Sequence, residues 1–224
     1  MQRRKFIAGV GSLAAAGAAG IGTGAFSSMS ASRDADVDVV TDSNGLIALN
    51  AGAGADGRVS EVDGELGIDF TSSEGGQGVN VDSRYQVGVF DDKSWAVPDG
   101  ALEVASSGTA ALEIVNQDSA NHTVDIGYEC DANDIGNATI YFQFWHDHDT
   151  GITHHTIGGR SGNRKITGTD TEAYLSDEGQ EIPKSGDPFA PGDTIGGVVL
   201  VDTRDVSMAP SDLDLSGTLT VLAE

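Results

Sequence analysis

The chain of 224 residues holds one cysteine, Cys130, so it forms no intramolecular disulfide and no cysteine-built zinc cluster. Its stability must come from core burial, and Cys130, at the end of an apolar-alternating run, reads as a small buried hydrophobe. Positive charge is nearly as scarce. Twelve lysines and arginines face 35 aspartates and glutamates, and three of the twelve lie within the first five positions. The rest of the chain keeps nine basic residues, only Lys93, Lys165 and Lys184 being lysine, for a net charge near −26. That sign disfavours nucleic acid and anionic membranes as partners. At low ionic strength such a chain repels itself, whereas molar salt shortens the Debye length to about 3 Å and lifts most of the penalty. An Asp-rich, Lys-poor composition reads as adaptation to brine, with an acidic calcium-binding protein as the alternative. Asp34-x-Asp36-x-Asp38 lacks the bidentate glutamate of a calcium loop, so diffuse counter-ion binding is its simplest role.

Against this background the start of the chain stands out. Arg3-Arg4-Lys5-Phe6-Ile7 precedes an uncharged Gly/Ala-rich run to Ala25, a pattern similar to the signal read by the twin-arginine translocase. Ile7 to Ile21 is shorter and more glycine-rich than the about 20 apolar residues a membrane span needs. Residues 1–31 are therefore expected to form a removable signal helix, cleaved after Ala25-Phe26-Ser27 or Ser28-Met29-Ser30, with a retained anchor as the alternative. Export partners would be the translocase and a signal peptidase. The mature chain, without a stable membrane span, would work outside the cell or on its surface.

Helical periodicity is almost absent beyond the leader; apolar residues alternate with polar ones or come in short bursts broken by Gly, Asp, Asn and Ser. Residues 32–224 are expected to be a single all-β domain, an antiparallel β-sandwich, since their length suits one core. Strands are predicted over 37–40, 46–49, 67–70, 85–90, 102–104, 110–116, 122–130, 138–146, 152–157, 172–175, 195–202 and 217–222. Residues 112–116 and 122–128 are expected to pair as a hairpin with Val124, Ile126 and Tyr128 on the core face. Pro191-Gly192 predicts a turn, and the unbroken Val198-Val199-Leu200-Val201 a strand covered on both faces. The segments 50–63, 72–83 and 158–170 read as exposed loops.

A leader ending Gly22-Thr23-Gly24-Ala25-Phe26-Ser27, an Asp-rich segment after it, Leu112-x-Ile114-x-Asn116 leading to His122-x-Val124-x-Ile126, and Ala190-Pro191-Gly192-Asp193 before Val199-x-Val201-Asp202-Thr203 occur in that order. Together they resemble a haloarchaeal secreted family of unknown function, itself distantly similar to the TasA/camelysin group. The resemblance implies a jelly-roll-like sandwich that assembles with copies of itself or related surface subunits into an extracellular matrix or pilus-like filament. In such assemblies the N-terminal strand of one subunit completes the sheet of its neighbour. Here Ala35–Val40, with Leu46–Leu49 beyond it, would be the donor; an ordinary first strand folded back on its own subunit is the alternative. The resemblance carries over no catalytic residue.

Four of the five histidines fall within ten residues: His146, His148, His154 and His155. If the strand from Phe142 runs through His148, His146 and His148 share a face, and a turn at 149–151 brings His154 or His155 across. Neutral imidazoles so placed can bind a transition metal such as zinc, copper or nickel, which makes a monomeric extracellular metal-binding protein the alternative function. A polar hairpin tip with His–Asp pairs is the simpler reading. Enzyme signatures are missing: no His-Glu-x-x-His, no Gly-x-Ser-x-Gly, no phosphate loop, and no His or Met a few residues after Cys130 for blue copper. The expectation is that the protein is not an enzyme. Asn121-His122-Thr123 and Asn137-Ala138-Thr139 are candidate glycosylation sites.

Overall fold

The computed structural model describes residues 44–68, 79–93, 96–148, 151–157, 166–167, 169–175, 181–182, 188–209 and 212–224. These belong to one compact unit, Val40–Glu224. The leader with Arg3 and Arg4, the segment Ala35–Val40 and the Asp34-x-Asp36-x-Asp38 run lie outside the described residues.

Thirteen strands follow in chain order among the described residues: β1 (Ile47–Ala51), β2 (Val59–Val62), β3 (Glu65–Ile68), β4 (Arg84–Val87), β5 (Phe90–Asp91), β6 (Val104–Ala105), β7 (Leu112–Asn116), β8 (Val124–Cys130), β9 (Thr139–His148), β10 (Gly151–Ile157), β11 (Glu172–Tyr174), β12 (Thr194–Asp202) and β13 (Gly217–Ala223). The fold is all-β. A six-stranded antiparallel sheet runs β1-β7-β12-β9-β10, with β4 also paired to β12, and a three-stranded antiparallel sheet runs β11-β8-β13. No helix of the described residues is long and apolar enough to cross a membrane.

Alternation places the core. Val124, Ile126 and Tyr128 of β8 meet Ile114, Phe142, Phe144, Ile195, Val199 and Val201 of the large sheet in one buried cluster, the two sheets touching through the Tyr128 and Phe142 rings at 5.2 Å. Cys130 belongs to the same cluster, as its sequence context requires. The other face of the large sheet is also covered: Val198 and Leu200 pack with Phe90, Val97, Ala101, Tyr141 and Trp145. β12 is thus buried on both faces, as its unbroken apolar run predicts.

Four sequence expectations are corrected. β7 and β8 do not form a hairpin: β7 pairs with β1 and β12, β8 with β11 and β13, and the link between them carries the chain from one sheet to the other. Asn116 is the reason. Its buried amide donates to the carbonyls of Ala120 (2.9 Å) and Phe189 (2.8 Å) and accepts from the Asp118 N–H (2.9 Å), so the link curls toward the 189–193 turn and away from β7. The stretch 50–63, read as a loop, contains β2 and opens the hairpin β2–β3, whose turn residues Asp63 (φ 54°) and Gly64 (φ 93°) have the positive φ pair of a type I′ turn. Ile166, in the glycine-rich stretch read as exposed, is fully buried and bridges Ile140. Of the assigned donor stretch, residues 47–49 are zipped into their own subunit as the edge strand β1, against β7.

The Pro191-Gly192 turn forms as expected, with Gly192 at φ 88° and Asp193 N–H donating to Ala190 O at 2.9 Å. Two adjacent glycines of β12 serve packing instead: a Cβ on Gly196 would lie 2.6 Å from Trp145 Cε2, and one on Gly197 2.7 Å from Phe144 Cε1. Gly197→Ala is expected to cost about 1–3 kcal/mol by overpacking, read as a lowered denaturation midpoint in molar salt. Gly67→Ala, whose new methyl meets only the Ser60 carbonyl at 3.8 Å, should shift stability by no more than about 0.5 kcal/mol. Equal losses at the two positions would refute this account of β12.

Candidate functional site

The hairpin β9–β10 forms in the expected place, but strand alternation divides its histidines. Thr153 lies opposite His146, His154 opposite Trp145, and His155 opposite Phe144. His146 and His155 therefore share the inward face with Phe142 and Phe144, while His154 lies on the other face with Gln143 and Trp145. His148 pairs across the hairpin with Gly151.

Each side of the hairpin has its own polar node. On the inner side His146, almost fully buried, places Nε2 3.1 Å from Asp193 Oδ2 and packs edge-on against Phe189 at 5.6 Å. The same carboxylate oxygen accepts from the Ala190 N–H at 2.8 Å, and Asn116 exchanges backbone bonds with Asp193 (3.0 Å) and Gly192 (2.8 Å). His122 completes this end of the molecule: it bridges Phe189 through the backbone, and its Nε2 lies 2.8 Å from Asp118 Oδ2. That contact holds the Asp118 carboxyl below the ordinary carboxylate range. The node ties the sheet-crossing link, the Pro-Gly turn and β9 together.

On the outer side Gln143 is a buried clamp for the chain at Asp91. Its Oε1 accepts from the Asp91 N–H at 2.9 Å, and its Nε2 donates to the carbonyls of Asp91 (3.1 Å) and Ala96 (3.3 Å). The clamp holds the Asp91 carboxylate over β10, where His154 Nε2 lies 3.1 Å from Asp91 Oδ1. Burial lowers the His154 pKa below its ordinary value; Asp91 works in the opposite direction without cancelling the effect. His155 is fully buried beside the phenylalanines.

Two histidines thus each meet one aspartate, on opposite faces of one sheet. Among the described residues no group of three or more His, Cys, Asp or Glu side chains is placed to hold a metal ion. Sequence reasoning missed the partners Asp91, Asn116, Asp193 and Gln143, because each lies at least 47 positions from a residue it holds. Only the Asp193 position, directly after Pro191-Gly192, carried a local signal. Both sequon asparagines are exposed; Asn137 commits its Nδ2 to the Asp205 carbonyl at 3.1 Å, and Asn121 sits in the sheet-crossing link.

The core nucleophile is silenced. Burial, then the neighbouring Asp131 and Asp214, pushes the Cys130 thiol up to about 11. Burial likewise raises the Tyr128 hydroxyl, which donates to the Leu215 carbonyl at 3.0 Å.

The His154 shift has a definite sign in stability. An unfolded chain binds a proton there near the ordinary value of 6.5, whereas the folded site resists it, so this contribution is complete above that pH and is lost as the pH falls through the lowered folded value. His154→Gln is expected to flatten the fall in stability between pH 7 and pH 5, measured by urea denaturation at constant high salt. An unchanged slope would remove His154 as a proton-linked group.

The chain matches no protein-family model, no curated protein and no solved structure.

Proposed function

We propose that this chain is an exported structural protein: a jelly-roll-like sandwich, tolerant of brine, that joins its neighbours by strand addition into a cell-surface filament or extracellular matrix. The observation that carries this reading is the position of β1. It is one rim of the large sheet, β10 being the other, and is paired on one side with β7 and, among the described residues, with no strand on the other. Leu46 and Gly52 direct their backbone groups to β7, so alternation turns those of Ile47, Leu49 and Ala51 outward. The five residues of β1 carry no charge and no proline, the devices that usually guard an edge.

Ala35–Val40 leads directly into this rim, and its Val/Asp alternation suits a strand with one apolar and one solvated face. Such a strand, laid along β1 of the next subunit, satisfies both partners' amides and extends the sheet. The interior supports a structural role as well: the one thiol is buried and raised out of the reactive range, and two of the buried histidines, His146 and His154, lie against Asp193 and Asp91. The strong negative charge makes assembly depend on salt.

Deletion of residues 32–43, which leaves β1 in place, tests the reading. The expected outcome is a folded protein with unchanged circular dichroism that no longer forms filaments in electron micrographs of the cell surface or of protein assembled in molar salt. Filaments of undiminished number after the deletion would overturn it.

A further inference from the structure

The second sheet ends on an edge of a different kind. β13 is seven residues long, Gly-Thr-Leu-Thr-Val-Leu-Ala, and holds no charge and no proline in a chain with 35 acidic residues. It pairs with β8 on one side and, among the described residues, forms the sheet's rim on the other, with Leu222 51% exposed. Glu224 and Thr123 exchange both backbone bonds at 2.9 Å, and Asp131 N–H donates to Ser216 O at 2.9 Å. In this register the even-numbered residues of β13 bond to β8. The N–H and C=O groups of Gly217, Leu219, Val221 and Ala223 therefore point away from the sheet. A long, uncharged, unguarded edge is a template for another strand.

We propose that the occupant of this edge is β13 of a second copy, paired antiparallel about a two-fold axis through Thr220. The register follows from the outward groups. Pairing Gly217 with Ala223 and Leu219 with Val221 of the other copy satisfies all four outward residues on each strand, and sliding it by two positions in either direction loses a pair. Leu219 and Val221 lie on the core side, opposite Tyr128 and Ile126, so the contact joins the two cores along their rims. On the solvent side Thr220 meets its own symmetry mate, and Thr218 meets Leu222. The two copies then share one six-stranded sheet.

Charge also favours this occupant over an acidic strand such as Ala35–Val40, because β13 brings no carboxylate into the new strand pair. Carboxylates crowd only the ends and the outer face: Glu224 comes near Asp214 of the other copy, while Asp125 and Glu129 of β8 flank Leu222 and Thr218. Association must therefore strengthen with salt, unlike an interface held by ion pairs. An isologous contact of this kind closes on itself and makes a dimer, not a filament. It stands independently of the N-terminal strand.

Thr220→Cys tests the register directly. A non-hydrogen-bonded antiparallel pair places its Cα atoms about 4.5 Å apart, within the range that a disulfide spans. Mild oxidation of the full-length protein in molar salt is expected to give a covalent dimer on a non-reducing gel. Thr218→Cys alone should give none, because it faces Leu222; Thr218→Cys with Leu222→Cys should restore it. The native Cys130, being buried, does not compete. Val221→Pro removes an outward N–H without touching the β8 ladder and should abolish the Thr220→Cys cross-link while circular dichroism stays native. The cross-link should persist when residues 32–43 are deleted, so loss of filaments and loss of this contact are separate outcomes. A Thr220→Cys protein that stays monomeric, that cross-links no better than Thr218→Cys, or that loses its cross-link on deletion of residues 32–43 would overturn the proposal.

Discussion

The molecule depends on β12 being buried on both faces. Its inward residues Ile195, Val199 and Val201 belong to the core between the sheets, and its outward Val198 and Leu200 to the layer built by Phe90, Tyr141 and Trp145. A strand in that position must match its neighbours in shape as well as in register. It does so with Gly196 and Gly197, which leave room for Trp145 on one side and Phe144 on the other. With β7, β9 and β4 all paired to this strand, the place of every other element of the large sheet is referred to it.

From this centre outward the polar interior becomes intelligible. β9 lies directly beside β12 and carries the residues that reach both faces: His146 inward to the Asp193 turn, and Gln143 outward to the Asp91 backbone. These are costly groups to bury, and each is given a partner outside the large sheet, in the Asp193 turn or in the short strand β5. Asn116 does the same for the link between the sheets. Buried polarity here organises turns and crossovers, the parts of a sandwich that apolar packing specifies least.

The rims follow a different rule. In a chain with 35 carboxylates against 12 basic residues, β1 and β13 carry no charge. In the proposed reading, repulsion between acidic copies and unguarded backbone at two edges together favour contacts by strand pairing, with salt as the variable that governs them. The functional reading proposed above rests on that contrast and not on any chemical centre.

Much of this was legible in the sequence. Period-two alternation identified β7, β8, β9 and β13 because half-buried strands impose it, an unbroken apolar run marked β12 because both its faces are covered, and Pro191-Gly192 announced its turn because only glycine takes the positive φ required there without strain. Asp63-Gly64 was an equally readable hairpin signal, hidden within an acidic glycine-rich stretch. What the residues could not disclose was pairing. Whether β7 turns back on β8 or crosses to the other sheet depends on hydrogen bonds between Asn116 and a turn more than 70 positions away, and alternation is the same in either case. The histidines show the same division: their spacing determined that a hairpin would carry them, but only the register of β10 against β9 decided which face each one took, because a shift of one residue moves every side chain to the opposite side.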